Sequence, residues 1–237
     1  MKKNFLSVII SLIGAITLLS SCSKDTTEGK TFITYYPTLS LEGETFIVLA
    51  KGSEYQEPGY EAILNGKDVT NDVKVNHNIN KDKSGLYTIT YTIVNADGFV
   101  KSAARQILVI DMNNPNDPIE GFYKTTLACH RMAKGTRTDY GEEFSLFIYP
   151  NGDGTYTIND MLGGYYEQRA GYGSSYAMVG VFSVEDDGTI VGISGDVAGW
   201  SDSMDSLDDA QFDKANSTIS WKVVYADMDF YVTMKKQ

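Results

Sequence analysis

Leu86-Tyr-Thr-Ile-Thr-Tyr-Thr-Ile-Val94 decides the fold. Tyr87, Ile89, Tyr91 and Ile93 fall on one side of an extended chain, and Thr88, Thr90 and Thr92 on the other. Strict alternation with a period of two is the pattern of a half-buried β-strand, and aromatic and β-branched residues are the types that fill one. Asn95-Ala-Asp-Gly98 then turns the chain, and Phe99 to Ile110 returns it. The stretch predicts a hairpin.

The same grammar continues toward the N-terminus. Thr45-Phe-Ile-Val-Leu49 reads as a strand. Pro58-Gly59 marks a turn, because proline presets φ at one corner and glycine accepts a positive φ at the next. Asn65-Gly66 is a two-residue hairpin signal. Short strands with regular turns over residues 32–112 predict a β-sandwich. Two stretches, "GSEYQEPGYEAILNGKDVT" and "SGLYTITYTIVNADGFVKSAARQILV", resemble the bacterial Ig-like domain of surface proteins. That family carries an extended segment ending in Pro-Gly, a Gly-x-Asp-Val-Thr turn, a Gly-x-Tyr-Thr-Ile-Thr-Tyr strand and a glycine hairpin. The resemblance implies a spacer or adhesion module with no catalytic residue to carry over.

Asn113-Asn-Pro-Asn-Asp-Pro118 is a linker whose two prolines disfavour continuing a strand or a helix. Residues 119–237 form the second expected domain. Strands are predicted at 121–131, 142–149, 155–160, 176–184, 188–194, 217–225 and 229–235. Asn151-Gly-Asp-Gly154 and Asp186-Asp-Gly188 supply hairpin turns. In the last pair Ile219, Trp221 and Val223 face one way, as do Phe230, Val232 and Met234. The expectation is therefore an all-β chain, an Ig-like sandwich followed by an antiparallel β-barrel, lipocalin-like or flattened toward a sandwich. "GFYKTTLACHR", "YPNGDGTYTINDMLGGYYEQRAGYG" and "STISWKVVYADMDFYVTMKK" resemble the C-terminal domain of lipoproteins encoded beside polysaccharide-uptake systems in gut Bacteroidetes. That resemblance brings no assigned functional residue with it.

The first residues address the chain. Lys2 and Lys3 precede an apolar run from Leu6 to Leu19, and Leu19-Ser-Ser-Cys22 follows. A short positive start, a short apolar run and small residues describe a secretory signal peptide over residues 1–21. The run is shorter than the roughly 20 residues of a membrane-spanning helix. The Cys resembles a lipobox cysteine, which implies acylation of Cys22 with palmitate-type chains and a flexible tether over 22–31. Asp25 and Glu28 resemble the surface-export signal of Bacteroidetes lipoproteins. The expected location is the outer membrane, facing the cell surface, with a periplasm-facing position as the alternative. Removing residues 1–21 leaves 18 basic and 31 acidic side chains, so the mature formal charge is 18 − 31 = −13. Such a surface excludes nucleic acid as a partner and leaves tethering to the lipid anchor. With Cys22 acylated, Cys129 has no disulfide partner and reads as a small buried hydrophobe.

The segment Asp160-Met-Leu-Gly-Gly-Tyr-Tyr-Glu-Gln-Arg-Ala-Gly-Tyr-Gly-Ser-Ser-Tyr176 mixes four tyrosines with four glycines. Glycines let the backbone bend sharply, and tyrosine offers a flat apolar face with a polar tip. Sugar rings need both, stacking their C–H faces on aromatics while carboxylates and arginines hold hydroxyls. Tyr165, Tyr166, Tyr172 and Arg169 are candidate glycan ligands on that ground. Trp200 sits in the polar loop Ala198-Gly-Trp-Ser-Asp202 and joins them, with Asp202 beside it. The plainer explanation makes these tyrosines plugs at the end of the core. Trp221 alternates with Ile219 and Val223 and belongs to that core.

Asp202, Asp205, Asp208 and Asp209 crowd together without the glycine-enabled turn of a calcium loop, so they read as solvated acids at the start of a helical turn. No metal or cofactor is expected. Catalysis is not expected either: the second domain holds 18 carboxylates, so a pair at glycosidase spacing is uninformative. The sequence reading is a lipid-anchored surface protein that binds an oligosaccharide or polysaccharide for an outer-membrane glycan-uptake complex. The alternative is an adhesion or scaffold subunit with a protein partner.

Overall fold

The computed structural model describes residues 33–237. The signal peptide, Cys22 and the tether lie outside the described residues. Within them every long element is a strand, and no helix is long and apolar enough to cross a membrane.

The first domain is two small sheets. One runs β1 (Thr38–Leu41), β3 (Tyr60–Leu64), β4 (Lys67–Asp68), and the other runs β2 (Phe46–Ala50), β7 (Val100–Ile110), β6 (Gly85–Val94), β5 (Lys74–Asn76). β6 and β7 pair antiparallel from Gly85↔Val109 to Val94↔Val100, while β2 lies parallel to β7. The period-two reading of β6 holds: Ile89, Tyr91 and Ile93 are buried, and Thr88 and Thr90 are exposed. At the Asn65-Gly66 hairpin both residues have positive φ, 49° and 72°, as that turn requires. Asn95 fixes the β6–β7 turn, its Oδ1 accepting from Asp97 N at 3.1 Å and Phe99 N at 2.7 Å.

Arg105 on β7 is fully buried in this small core. Its guanidinium donates to the carbonyls of Glu42 (2.8 Å), Glu44 and Gly59 (3.3 Å) and to Glu57 Oε1 (3.3 Å). Tyr55 and Tyr91 hydroxyls close on Glu57 Oε2. A buried guanidinium is tolerated only when its donors are met and its charge is paired. Burial pushes the Glu57 carboxyl up, but hydrogen bonds from Tyr91, Gly59 N–H and Tyr55 and the Arg105 charge outweigh it and hold it below the usual carboxylate range.

The second domain is built from β8 (Gly121–Thr125), β9 (His130–Ala133), β10 (Thr136–Asp139), β11 (Ser145–Pro150), β12 (Thr155–Ile158), β13 (Met178–Val184), β14 (Ile190–Val197), β15 (Asp202–Ser203), β16 (Ser206–Asp213), β17 (Thr218–Tyr225) and β18 (Met228–Lys236). The ladder runs β16-β17-β18-β8-β11-β12-β13-β14, with β9 and β10 added where β18 extends past β8. The interior is apolar, centred on Tyr123, Leu146, Ile148, Phe182, Trp221 and Phe230.

This sheet is not closed into a barrel, which corrects the sequence expectation. β14 and β16 form no ladder; β16 is bonded instead to the turn before β14, through the Thr189↔Gln211 bridge and the bonds from Phe212 N to Gly188 O (2.8 Å) and from Gln211 Nε2 to Asp187 O (3.0 Å). Gly192 and Gly195 explain the gap. The side chains of Leu207 on β16 and of Met204 just before it lie over them, 2.8–2.9 Å from where a Cβ would stand, so β14 is met here through side-chain packing.

Two local expectations change as well. The strand predicted at 121–131 breaks at Thr126–Cys129, where Cys129 N bonds Thr126 O. Cys129 sits in that turn, fully buried, its Sγ donating to Thr233 O at 3.2 Å, and burial pushes its thiol up. The acidic run 205–209 enters β16 rather than a helical turn, and Asp208 pairs with Lys222 of β17 at 2.9 Å.

Candidate functional site

The loops at one end of the second domain are built around Asp160, just beyond β12. Its carboxylate is fully buried. Oδ1 accepts from Leu162 N (2.9 Å) and Met178 N (3.0 Å), and Oδ2 from Gly164 N (3.0 Å). One side chain thus ties both ends of the 161–177 loop together. Burial pushes this carboxyl up to about 7, against the pull of those three N–H donors.

Gly163 and Gly164 follow in the left-handed region, φ 66° and 82°. A Cβ on Gly164 would stand 2.7 Å from Phe144 Cβ, so the loop can turn this tightly only with glycine there. The chain then makes a single π-helical turn over Tyr165–Arg169 and a 3-10 turn over Ser174–Tyr176.

The tyrosines of this loop separate into two roles. Tyr165 turns inward and is buried, with ring centroids 5.1 Å from Tyr140 and 5.3 Å from Phe230. Arg131 and Arg169 both lie over its ring at 5.0 Å, and Arg169 Nε donates to Tyr140 O at 3.1 Å. Tyr172 turns outward, Tyr166 and Tyr176 are half-buried against the core, and all three meet Trp200. Tyr166 and Tyr176 stand at 4.8 and 4.9 Å from the Trp200 ring, each edge-on, and Tyr172 at 6.2 Å. Tyr172 is 56% and Trp200 41% exposed, and the two frame a shallow depression of about 250 Å³ with Tyr176.

Gly199 makes the junction possible. Its N–H donates to Ser175 O at 2.7 Å, and a Cβ there would stand 2.7 Å from the Tyr176 ring. Asp202 opens β15 two residues past Trp200 and lies beside the Tyr225 hydroxyl. Burial and the Asp202 charge push that phenol up to about 12.

The sequence-predicted residues are therefore only partly assembled. Trp200, Tyr166 and Tyr172 form one aromatic cluster, while Asp202 lies beside the Tyr225 hydroxyl. Tyr165 belongs to the core, and Arg169 is exposed with its guanidinium over the Tyr165 ring. Tyr176 and Gly199 were not among the predicted ligands. The signal for Tyr176 was present, since it closes the same Tyr/Gly segment, whereas the contact to Gly199 joins residues distant in sequence. The last described tryptophan contrasts with the first: Trp221 is buried, donating from Nε1 to Met161 O at 2.9 Å.

A bacterial surface Ig-like domain model matches residues 39–109, and a second family model, described simply as a C-terminal domain, matches residues 112–236. The crystal structure of the lipoprotein BT2262 from Bacteroides thetaiotaomicron is 38% identical, covers 85% of this chain and 100% of its own, and superposes with a TM-score of 0.65. Two structures from Clostridium perfringens ZmpB, one of CBM51-2 with GlcNAc and one of the M60 catalytic domain with CBM51-1 and CBM51-2, overlap 52% and 54% of this chain and 31% and 15% of theirs. At 16% and 13% identity and TM-scores of 0.27 and 0.28, they carry no inference for this chain. No curated protein matches it. The second model spans just over half of the chain and BT2262 is matched over its whole length. The chain thus belongs to the family of the Bacteroides lipoprotein BT2262, with a bacterial surface Ig-like domain followed by an all-β C-terminal domain.

Proposed function

We propose that this protein is a lipid-anchored surface lipoprotein whose second domain binds carbohydrate for a glycan-uptake system. The observation that carries the reading is the convergence of Trp200 and Tyr172, from loops about thirty residues apart in sequence, on one exposed aromatic surface. An exposed Trp beside an exposed Tyr loses hydration that a sugar's C–H face can replace, and neighbouring carboxylate and hydroxyl groups fix the sugar's orientation. Kinship with a lipoprotein supports acylation at Cys22, and the surface Ig-like domain supports an outer-membrane position with the first domain as spacer. The protein acts by binding rather than by catalysis.

The second reading, a scaffold that grips a protein partner, has one observation in its favour. Val179 on β13 and Val191 and Ile193 on β14 are about half exposed on the outer face of the sheet. Such a face suits a protein better than a sugar.

The deciding experiment presents the mature protein to an array of bacterial, plant and host glycans beside Tyr172→Ala. The account expects retention of at least one glycan by the parent and its loss in the variant. Retention equal in both, or by neither, would remove the carbohydrate reading.

A further inference from the structure

The chain has four arginines and 31 acidic side chains, so a carboxylate is available to every guanidinium. Arg105 pairs with Glu57, and Arg137 with Asp139 at 2.7 Å. Arg131 and Arg169 pair with none among the described residues. They converge instead on one ring, each guanidinium carbon 5.0 Å from the centroid of Tyr165, so the two charges stand no farther apart than twice that distance. Arg169 is exposed, and only its Nε is engaged, on the Tyr140 carbonyl at 3.1 Å. Its two terminal nitrogens make no hydrogen bond among the described residues. Arg131 is half-buried on β9, and its Nε is buried without a partner. Glu167, two residues before Arg169, is not their counter-ion: burial raises its carboxyl, and Gln168 rather than an arginine pulls it back.

This pair stands one ring behind the aromatic cluster. Tyr165 meets Tyr166 edge-on at 5.0 Å, and Tyr166 in turn meets Trp200 at 4.8 Å and Tyr172 at 6.1 Å. Arg131 also lies by the Tyr166 phenol, which it pulls down against the rise that burial causes. Resting on the carbohydrate reading, we propose that the second domain takes an acidic glycan, one bearing carboxylate or sulfate, with Arg169 and Arg131 as the anion site beside Trp200 and Tyr172. The planar fork of a guanidinium matches two oxygens of either group, and Arg169 has its fork unoccupied. Two cations drawn onto one ring repel each other, and an anion seated on them relieves that repulsion, which a neutral sugar cannot do. The negative charge of the rest of the chain acts from farther away and is screened beyond about 8 Å at physiological ionic strength.

The test sets acidic glycans against neutralised copies of themselves. An array carries oligogalacturonides and chondroitin sulfates, their methyl-esterified and desulfated forms, and neutral glucans and mannans. The mature protein should retain an acidic glycan and bind it at least about tenfold more tightly than its neutralised form, as a hydrogen bond to a charged group gives. Which treatment removes binding tells carboxylate from sulfate. Retention of neutral glycans alone, or of an acidic glycan and its neutralised form alike, overturns the acid selection and leaves the carbohydrate reading standing. Retention of no glycan sinks that reading, and this inference with it. Phenylglyoxal labelling of the parent, read by peptide mass, then places the anion. Arg169 should label in the free protein, and the retained acidic glycan at ten times its Kd should slow that labelling about tenfold. Arg137, whose side chain is 52% exposed, should label alike with and without it. An Arg169 that resists the reagent when free, or labels unchanged under the bound glycan, overturns the assignment. Arg169→Gln should weaken the acidic glycan about tenfold, as neutralising the glycan does, and an unchanged affinity has the same adverse meaning.

Discussion

The two domains are stabilised by different means. In the first, the core cluster is the four residues Ile89, Tyr91, Ile107 and Val109, and a buried arginine on β7 holds the backbone at Glu42, Glu44 and Gly59. In the second, twenty-four buried residues pack inside one large sheet, and a buried aspartate organises only the end loops. A small sandwich cannot bury enough apolar surface to hold long loops in place, so a charged, many-armed side chain does it through backbone carbonyls. A larger sheet holds itself and is free to display aromatic side chains at its mouth. The comparison explains why the exposed Trp and Tyr surface belongs to the second domain.

The largest expected effect breaks that comparison at its weaker side. Arg105→Ala leaves the Glu57 charge unpaired and the Glu42 and Glu44 carbonyls without their donor, and should cost the first domain about 3–5 kcal/mol. In a domain with so small a core, that is enough to abolish its melting transition, while the second domain's transition stays in place. A common shift of both would show that the halves unfold as one unit.

On the stronger side, Trp221→Ala should cost the second domain about 3–5 kcal/mol as a large-to-small change in a packed core. Chemical denaturation followed by tyrosine fluorescence measures it. Gly199→Ala comes next. Its Cβ collides with the Tyr176 ring at 2.7 Å, so overpacking should cost about 1–3 kcal/mol and separate Trp200 from Tyr176.

A further expected effect is a difference of sign with pH. Asp160 is raised to about 7 from an unfolded value near 3.9, so the native second domain binds that proton more tightly than the unfolded chain does. Its contribution is full below about pH 3.9 and drains away as the pH rises through about 7. Glu57 is lowered, so its contribution to the first domain is present above an unfolded pKa near 4.3 and is lost as the pH falls below that. Melting curves from pH 3 to 8 should therefore show the first domain weakening at the acid end and the second at the neutral end. Asp160→Asn should flatten only the second trend.

How much of this was legible in the sequence follows from the range of each interaction. Strands such as Leu86–Val94 and 217–235 declare themselves through local alternation, which is why the all-β class and most strands were readable. β16 was not, because Asp205, Asp208 and Asp209 mask its alternation and its partner Lys222 lies on β17. The open barrel was not readable either, since it depends on Leu207 of β16 and Met204 just before it covering Gly192 and Gly195. The candidate site divides the same way. Trp200 stood out by its polar neighbours, and the Tyr/Gly segment by composition. That Tyr165 turns inward under two guanidiniums depends on Arg131, thirty-four residues earlier, and no local signal carries that.

The most direct test of the account sets the two tryptophans against each other. Titration calorimetry with a glycan retained on the array, run beside melting curves, is applied to the parent, Trp200→Ala and Trp221→Ala. Trp200→Ala should weaken binding by roughly 2 kcal/mol or more, as truncation of a central aromatic contact does. Its stability cost should stay near about 1 kcal/mol, the worth of the edge contacts to Tyr166 and Tyr176. Trp221→Ala should keep the affinity at temperatures where it remains folded while melting far earlier. If Trp200→Ala instead melts as early as Trp221→Ala and binds like the parent, Trp200 is a plug in the end of the core and the aromatic surface is not the binding site.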